Sequence, residues 1–166
     1  MKKKRLYTIL IIVFVLLSIS VLLFLQQQKN NSDRQLLEVK ASEWVEKSPK
    51  DYSYTYKFNC GEGWGNYYVI AKDGIIESVT EDENNAAGLL ENNYYSIGNL
   101  FNQIKDKYDS DKSEEDGCLL QSIEINYNEE YSFPERYCFK YDCPPGVADG
   151  GGYCYSIADF KETESE

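Results

Sequence analysis

The chain has 166 residues, with 17 Lys and Arg against 28 Asp and Glu, five Cys and no His. The lack of His excludes a Ser-His-Asp or Cys-His arrangement and removes the commonest general base. All 28 acidic residues lie beyond Leu25, with only 13 basic ones, so that part carries a net charge of −15 and repels nucleic acid and anionic lipid surfaces.

Residues 2 to 5 read Lys-Lys-Lys-Arg, and the next charged side chain is Lys29. From Leu6 to Leu25 only Tyr7, Thr8, Ser18 and Ser20 carry polar groups. A helix over this run reaches about 30 Å, the thickness of a hydrocarbon core. The expectation is a single-pass signal anchor over 6–25, seated in the lipid bilayer, with segment 1–5 cytoplasmic and everything after it extracytoplasmic. A cleaved signal peptide is the alternative. Its best site is Ser18-Ile19-Ser20, but cleavage there leaves Val-Leu-Leu-Phe-Leu as the new terminus, so the uncleaved anchor is favoured.

A polar linker over 26–31 leads to one domain at 32–162, followed by a charged tail at 163–166. Ser32 and Gln35 have the spacing of a capping box, and Leu37, Ala41, Trp44 and Val45 then form an apolar helical stripe that ends at Ser48-Pro49. Tyr52, Tyr54, Tyr56 and Phe58 alternate strictly, which predicts a half-buried strand; the same row would also suit a stacking platform for sugars, but core is the simpler reading. Gly61 to Gly65 reads as its turn. A second strand follows over about 67–72, Asp73-Gly74 is a hairpin signal, and Ile75 to Thr80 returns as the third strand.

Glu81 to Asn93 reads as loop, with a short helical turn at Ala86 to Leu90. Ser96 then caps a helix with Ile97, Leu100, Phe101, Ile104 and Tyr108 on one face. Asp109 to Gly117 alternates oxygens like a calcium loop, but Glu114 stands where Gly is needed and Leu120 where a bidentate Glu is needed, so it is a solvated loop. Leu119 to Tyr127 and Phe133 to Tyr141 are strands four and five, with Ile123, Ile125 and Tyr127 facing Tyr137, Phe139 and Tyr141. Cys143 to Gly152 is too rich in Pro and Gly for regular structure and lacks a phosphate-loop Lys. Tyr153 to Phe160 is the last strand.

All five Cys, at 60, 118, 138, 143 and 154, fall beyond the anchor, where an oxidising compartment makes disulfides the default. The spacing offers no close pair for zinc, so no metal and no cofactor is expected. Strand parity puts Cys138 and Cys154 on the same outward face, close enough to bridge if their strands are neighbours. Cys118 and Cys143 lie at the open end of one hairpin, one residue out of register if Tyr127 faces Phe133, so a bridge there needs a local irregularity. Cys60 is left over as a free thiol and small apolar filler.

The fold class expected is α+β: an N-terminal transmembrane helix, a second N-terminal helix, and an antiparallel sheet of about six strands carrying one amphipathic helix. Trp44, the Asp51 to Tyr56 strand, Asp73-Gly74, Ser96-Ile97 with Leu100-Phe101, Ile123 to Tyr127 with Phe133-Pro134, and Ser156 to Phe160 come in an order that resembles the bacterial cell-envelope family catalogued as domain of unknown function 6174. The resemblance spans about Trp44 to Phe160 and implies no activity, so it transfers no catalytic or binding residue. The extra Cys depart from its pattern.

No catalytic residues are identified, and the expected function is a non-catalytic binding or interaction module. Trp64, between glycines at a turn tip, is the candidate contact residue unless it folds back over the sheet edge; Tyr94 and Tyr95 are weaker candidates. The partner is an unidentified protein or ligand. A cationic one would be drawn by the charge, which also motivates a second reading, an inhibitor of a basic secreted protein. A carboxylate-dependent hydrolase is a third, since some pair among 28 acidic residues will lie close by chance.

Overall fold

Between Lys2 and Ser48 the sequence contains neither Gly nor Pro, and nothing in it breaks a helix. The computed structural model describes residues 2–60, 63–81, 84–85, 94–109, 118–144 and 152–163. Its first element, α1, spans Lys2–Lys47. The expected linker at 26–31 is therefore helical, and Ser32 sits inside the helix instead of capping one. Two compact units divide the chain, residues 1–38 and 39–166.

In the first unit the side chains of the apolar run stand exposed from Ile11 to Leu25, and this helix is long and apolar enough to cross a membrane. Ser18 and Ser20 donate their hydroxyls to the carbonyls of Phe14 and Leu16, each at 2.9 Å, which satisfies them within the helix.

In the second unit the expected apolar stripe is narrower than predicted. Trp44 is buried, but Val45 is 77% exposed. One residue further round the helix, Val45 turns off the face that Trp44 presents to the sheet.

The sheet is antiparallel throughout, ordered β4-β3-β2-β1-β7-β6-β5. Its strands are β1 (Tyr52–Cys60), β2 (Gly63–Lys72), β3 (Ile75–Glu81), β5 (Leu119–Tyr127), β6 (Pro134–Asp142) and β7 (Tyr153–Glu162), with Asn84–Asn85 adding a two-residue β4 at one edge. The helix α2, Ile97–Asp109, buries Ile97, Leu100, Phe101 and Ile104 as its spacing predicts. Lys107 lies over the rings of Phe139 and Tyr141, at 5.9 and 5.7 Å. The class is α+β, as expected. The short helical turn proposed at 86–90, the acidic loop at 110–117 and most of the Gly-rich connection lie outside the described residues.

One face of the sheet holds the core. Tyr52, Tyr54 and Tyr56 are at most 3% exposed, and Val69, Ala71, Val79, Tyr137, Phe139 and Ile157 join them. Tyr54 donates its hydroxyl to the carbonyl of Tyr95, and the hydroxyls of Tyr56 and Tyr137 lie 3.2 Å apart. In β7 the alternation is broken by Asp159 at φ 54°, beside the register shift against β1. That bulge returns Phe160 to the core face, where it meets Trp44, Tyr52 and Phe133.

The register of β5 and β6 differs from the expected one. Tyr127 faces Pro134, and Leu119 faces Asp142. That one-residue offset at Tyr127 puts Cys118 opposite Cys143, while an extra residue in each strand, Glu135 in β6 and Gln121 in β5, shifts the pairing out by one and then back with no net effect. Sulfurs join these two residues, with Cα atoms 4.2 Å apart. A second bridge links Cys138 to Cys154, which face each other directly across β6 and β7 with Cα atoms 4.1 Å apart. The Cys138–Cys154 pair is the one that strand parity selects, and the Cys118–Cys143 pair closes the open end of the hairpin where the expected register left it one residue out. Cys60 pairs in the ladder with Gly63 and Tyr153. Gly152, at φ 88°, opens β7 where a Cβ would fall 2.0 Å from the Phe139 carbonyl oxygen, so only glycine fits that approach.

Candidate functional site

Where the end of α1, the start of β1, the β2–β3 turn and the start of α2 converge, the second unit has a cleft of about 380 Å³. Trp44, Ser48, Pro49, Tyr52, Gly74 and Gly98 line it, together with Ser96, Asn99 and Asn102. Pro49 forces α1 to stop, and the last helical bond runs from the Ser48 amide to the Trp44 carbonyl at 2.7 Å. The turn is fixed by its own chemistry: Asp73 and Gly74 both take positive φ, 51° and 77°, as a tight hairpin requires. The Asp51 carboxylate accepts from the Asp73 amide at 2.8 Å, and the Gly74 amide donates to the Lys50 carbonyl at 2.7 Å.

Trp44 is held by edge contacts with Tyr52, Phe133 and Phe160, at centroid distances of 5.7, 5.7 and 6.1 Å. The residue before it, Glu43, accepts hydrogen bonds from Lys40 at 2.7 Å and from the hydroxyl of buried Ser132 at 2.6 Å. The Lys40 bond, then that from Ser132, holds the Glu43 carboxyl below its ordinary pKa. These bonds tie the end of α1 to the β5–β6 connection and so fix one wall of the cleft.

At the other wall Ser96 caps α2. Its hydroxyl accepts from the Asn99 amide at 3.2 Å, and its carbonyl accepts from the amides of Asn99 and Leu100. The first two amides of the helix, those of Ile97 and Gly98, have no acceptor among the described residues. The side-chain amides of Asn99 and Gln103 both donate to the Tyr94 carbonyl, at 3.2 and 3.0 Å.

Two further donors in the cleft are unpaired. Trp44 is 6% exposed and Tyr52 3% exposed, yet neither the Trp44 indole N–H nor the Tyr52 hydroxyl has a hydrogen-bond partner among the described residues. Neither polar atom is sealed from solvent, so both are open to a partner that enters the cleft. Burial pushes the Tyr52 hydroxyl up to about 12, so it stays protonated and available to donate.

The sequence-derived candidates are distributed differently. Trp64 is the second residue of β2 and pairs with Asn59, so the strand begins earlier than expected and Trp64 is not at a turn tip; its side chain lies outside the described residues. Tyr95 is a core residue at 5% exposure, packed on Tyr56 and Tyr67 at 5.2 and 5.1 Å. Tyr94, 40% exposed, keeps an open face beside α2. Neither Tyr94 nor Tyr95 lines the cleft. Trp44, Tyr52 and Gly98 were legible only as a core position, a strand position and a helix residue; the one signal was a glycine two residues after a Ser cap.

A family model described as a family of unknown function, DUF6174, matches residues 36–162, a span that contains every strand of the sheet and α2. No curated protein matches the chain.

Proposed function

We propose that this chain, which belongs to the DUF6174 family, is a membrane-anchored, extracytoplasmic module that binds a ligand in the cleft and catalyses no reaction. The observation that carries this reading is the composition of the cleft. It presents unpaired hydrogen-bond donors on two buried aromatic residues, but no carboxylate, amine or thiol belongs to its lining. The one titratable group there, the Tyr52 phenol, has its pKa pushed up and is no general base. The placement rests on the Lys2 to Arg5 cluster before an apolar helix and on two disulfides beyond it.

Two measurements test the proposal. Protease added to intact, wall-stripped cells is expected to remove the domain and leave a short N-terminal fragment. A protected full-length chain would overturn the orientation, and a mature N-terminus after Ser20 would replace the anchor by a cleaved signal. For binding, the indole N–H resonance of Trp44 is the reporter in full-length protein held in lipid nanodiscs. Small polar molecules that bind are expected to move it saturably, and a set of binders that shifts only other surfaces would place the site elsewhere.

A further inference from the structure

Resting on that binding reading, we infer that the cleft takes a carboxylate group, its oxygens accepting from the Tyr52 hydroxyl, the Trp44 indole and the Gly98 amide at the start of α2. The three donors share one property, that none has an acceptor among the described residues. The other tyrosines of the β1 row are paired: Tyr54 with the Tyr95 carbonyl and Tyr56 with Tyr137. Tyr52 stands apart from them and is the one that lines the cleft. The Trp44 indole N–H and the Gly98 amide can only donate, so the partner they lack is an acceptor.

Charge narrows the acceptor. The lining contains no Lys or Arg, and the domain around it is strongly acidic. The positive contribution comes from the start of α2, equivalent to roughly half an elementary charge. That suits a single negative charge shared over two oxygens, and leaves a dianionic phosphate without a counter-charge. The volume of about 380 Å³ exceeds what a carboxylate alone fills and leaves room for the small acid or chain end that carries it.

Gly98 supplies an independent observation. It is a helical residue, and a Cβ built on it meets nothing within 4 Å, so no neighbour in the fold requires glycine there. Alanine is the better helix former. A bare backbone at the second residue of α2, facing the cleft, is what close approach of a ligand oxygen to the amide requires.

The test uses full-length, nitrogen-15-labelled protein in nanodiscs of zwitterionic lipid, titrated with N-acetylglycine, its methyl ester, inorganic phosphate, and a short peptide with either a free or an amidated C-terminus. N-Acetylglycine or the free-ended peptide is expected to shift the Gly98 amide and Trp44 indole resonances saturably, with the ester and the amide at least tenfold weaker. Which acid binds tighter identifies the source as a small molecule or a chain end. Gly98→Ala is expected to raise the melting temperature and weaken the acid at least tenfold, and Tyr52→Phe to weaken it in a chain that still folds. Esters or phosphate binding as tightly as the acids would overturn the carboxylate inference and leave the cleft as a binding site. No saturable shift at Gly98 or Trp44 with any probe would overturn both. Unchanged affinity in Gly98→Ala would remove the helix amide from the site.

Discussion

Raising the pH through 10 is expected to unfold the domain within about two pH units. Burial pushes the phenols of Tyr52, Tyr54, Tyr56 and Tyr137 above their ordinary value, to about 12 for Tyr52, and for Tyr54 and Tyr56 the neighbouring phenol oxygens add to the effect. In the unfolded chain the same groups ionise near 10. Their contribution is thus fully present below pH 10 and is lost as the pH rises from there towards the folded-state values. Each group removes about 1.4 kcal/mol per pH unit in that window, and four acting together remove about 5 kcal/mol per unit. A domain of ordinary stability, about 5–15 kcal/mol, is exhausted quickly at that slope. Phenolate absorbance and near-ultraviolet circular dichroism should change together, in one cooperative step above pH 10, when measured quickly enough to spare the disulfides. Tyrosines that titrate gradually around pH 10 while the dichroism persists would show that the row is hydrated and that the packing described here is wrong.

Removing the disulfides is the second large perturbation. The bridges close loops with sequence separations of 25 and 16 residues, and the loop-entropy relation assigns about 3 kcal/mol to each. Both hold β6, one to β5 and one to β7, and β6 carries Tyr137 and Phe139 into the core. Cys138→Ala with Cys154→Ala is expected to lower the unfolding free energy by about 3 kcal/mol, and removal of both pairs by about 6 kcal/mol, less any coupling through the shared strand. Urea unfolding of the full chain in detergent, with and without reductant, measures the loss. Peptide mapping without reductant checks the pairing. A midpoint unmoved by reduction would mean the sheet holds β6 without help, and a Cys60 bridge to Cys138 or Cys154 would contradict the strand order.

Much of this fold could be read from local pattern. The Tyr52-Tyr54-Tyr56 alternation, the Asp73-Gly74 turn and the Ile97-Leu100-Phe101-Ile104 spacing each depend on a few consecutive residues, and each lies as expected in the structure. Features that depend on distant partners were not legible. The Tyr127–Pro134 offset, which decides whether Cys118 meets Cys143, and the compensating bulges at Gln121 and Glu135 leave no trace in the hydrophobic alternation. Nor does the Asp159 bulge that returns Phe160 to the core. The capping-box spacing at Ser32 and Gln35 misled because the same residues are tolerated inside a long helix when no Gly or Pro interrupts it. The cleft was invisible for a simpler reason. Its walls come from residues 44–52, Gly74 and residues 96–102, and only the unpaired state of Trp44 and Tyr52 distinguishes them from ordinary core aromatics.

The pairing at the middle of the sheet constrains how the chain can be made. β1 is the first strand of the domain and β7 the last, yet they lie side by side. Until β7 has emerged, β1 to β3 and the β5–β6 hairpin share no ladder, and β1 offers an open edge beside a row of unburied tyrosines. Folding in step with synthesis is therefore blocked, since contacts this distant in sequence form late and slowly. The Cys138–Cys154 bridge has to wait as well, because its second sulfur arrives on that last strand. A premature stop between Asp142 and Tyr153 would thus leave two fragments of sheet with no ladder to join them, exposed to any other unfinished chain nearby.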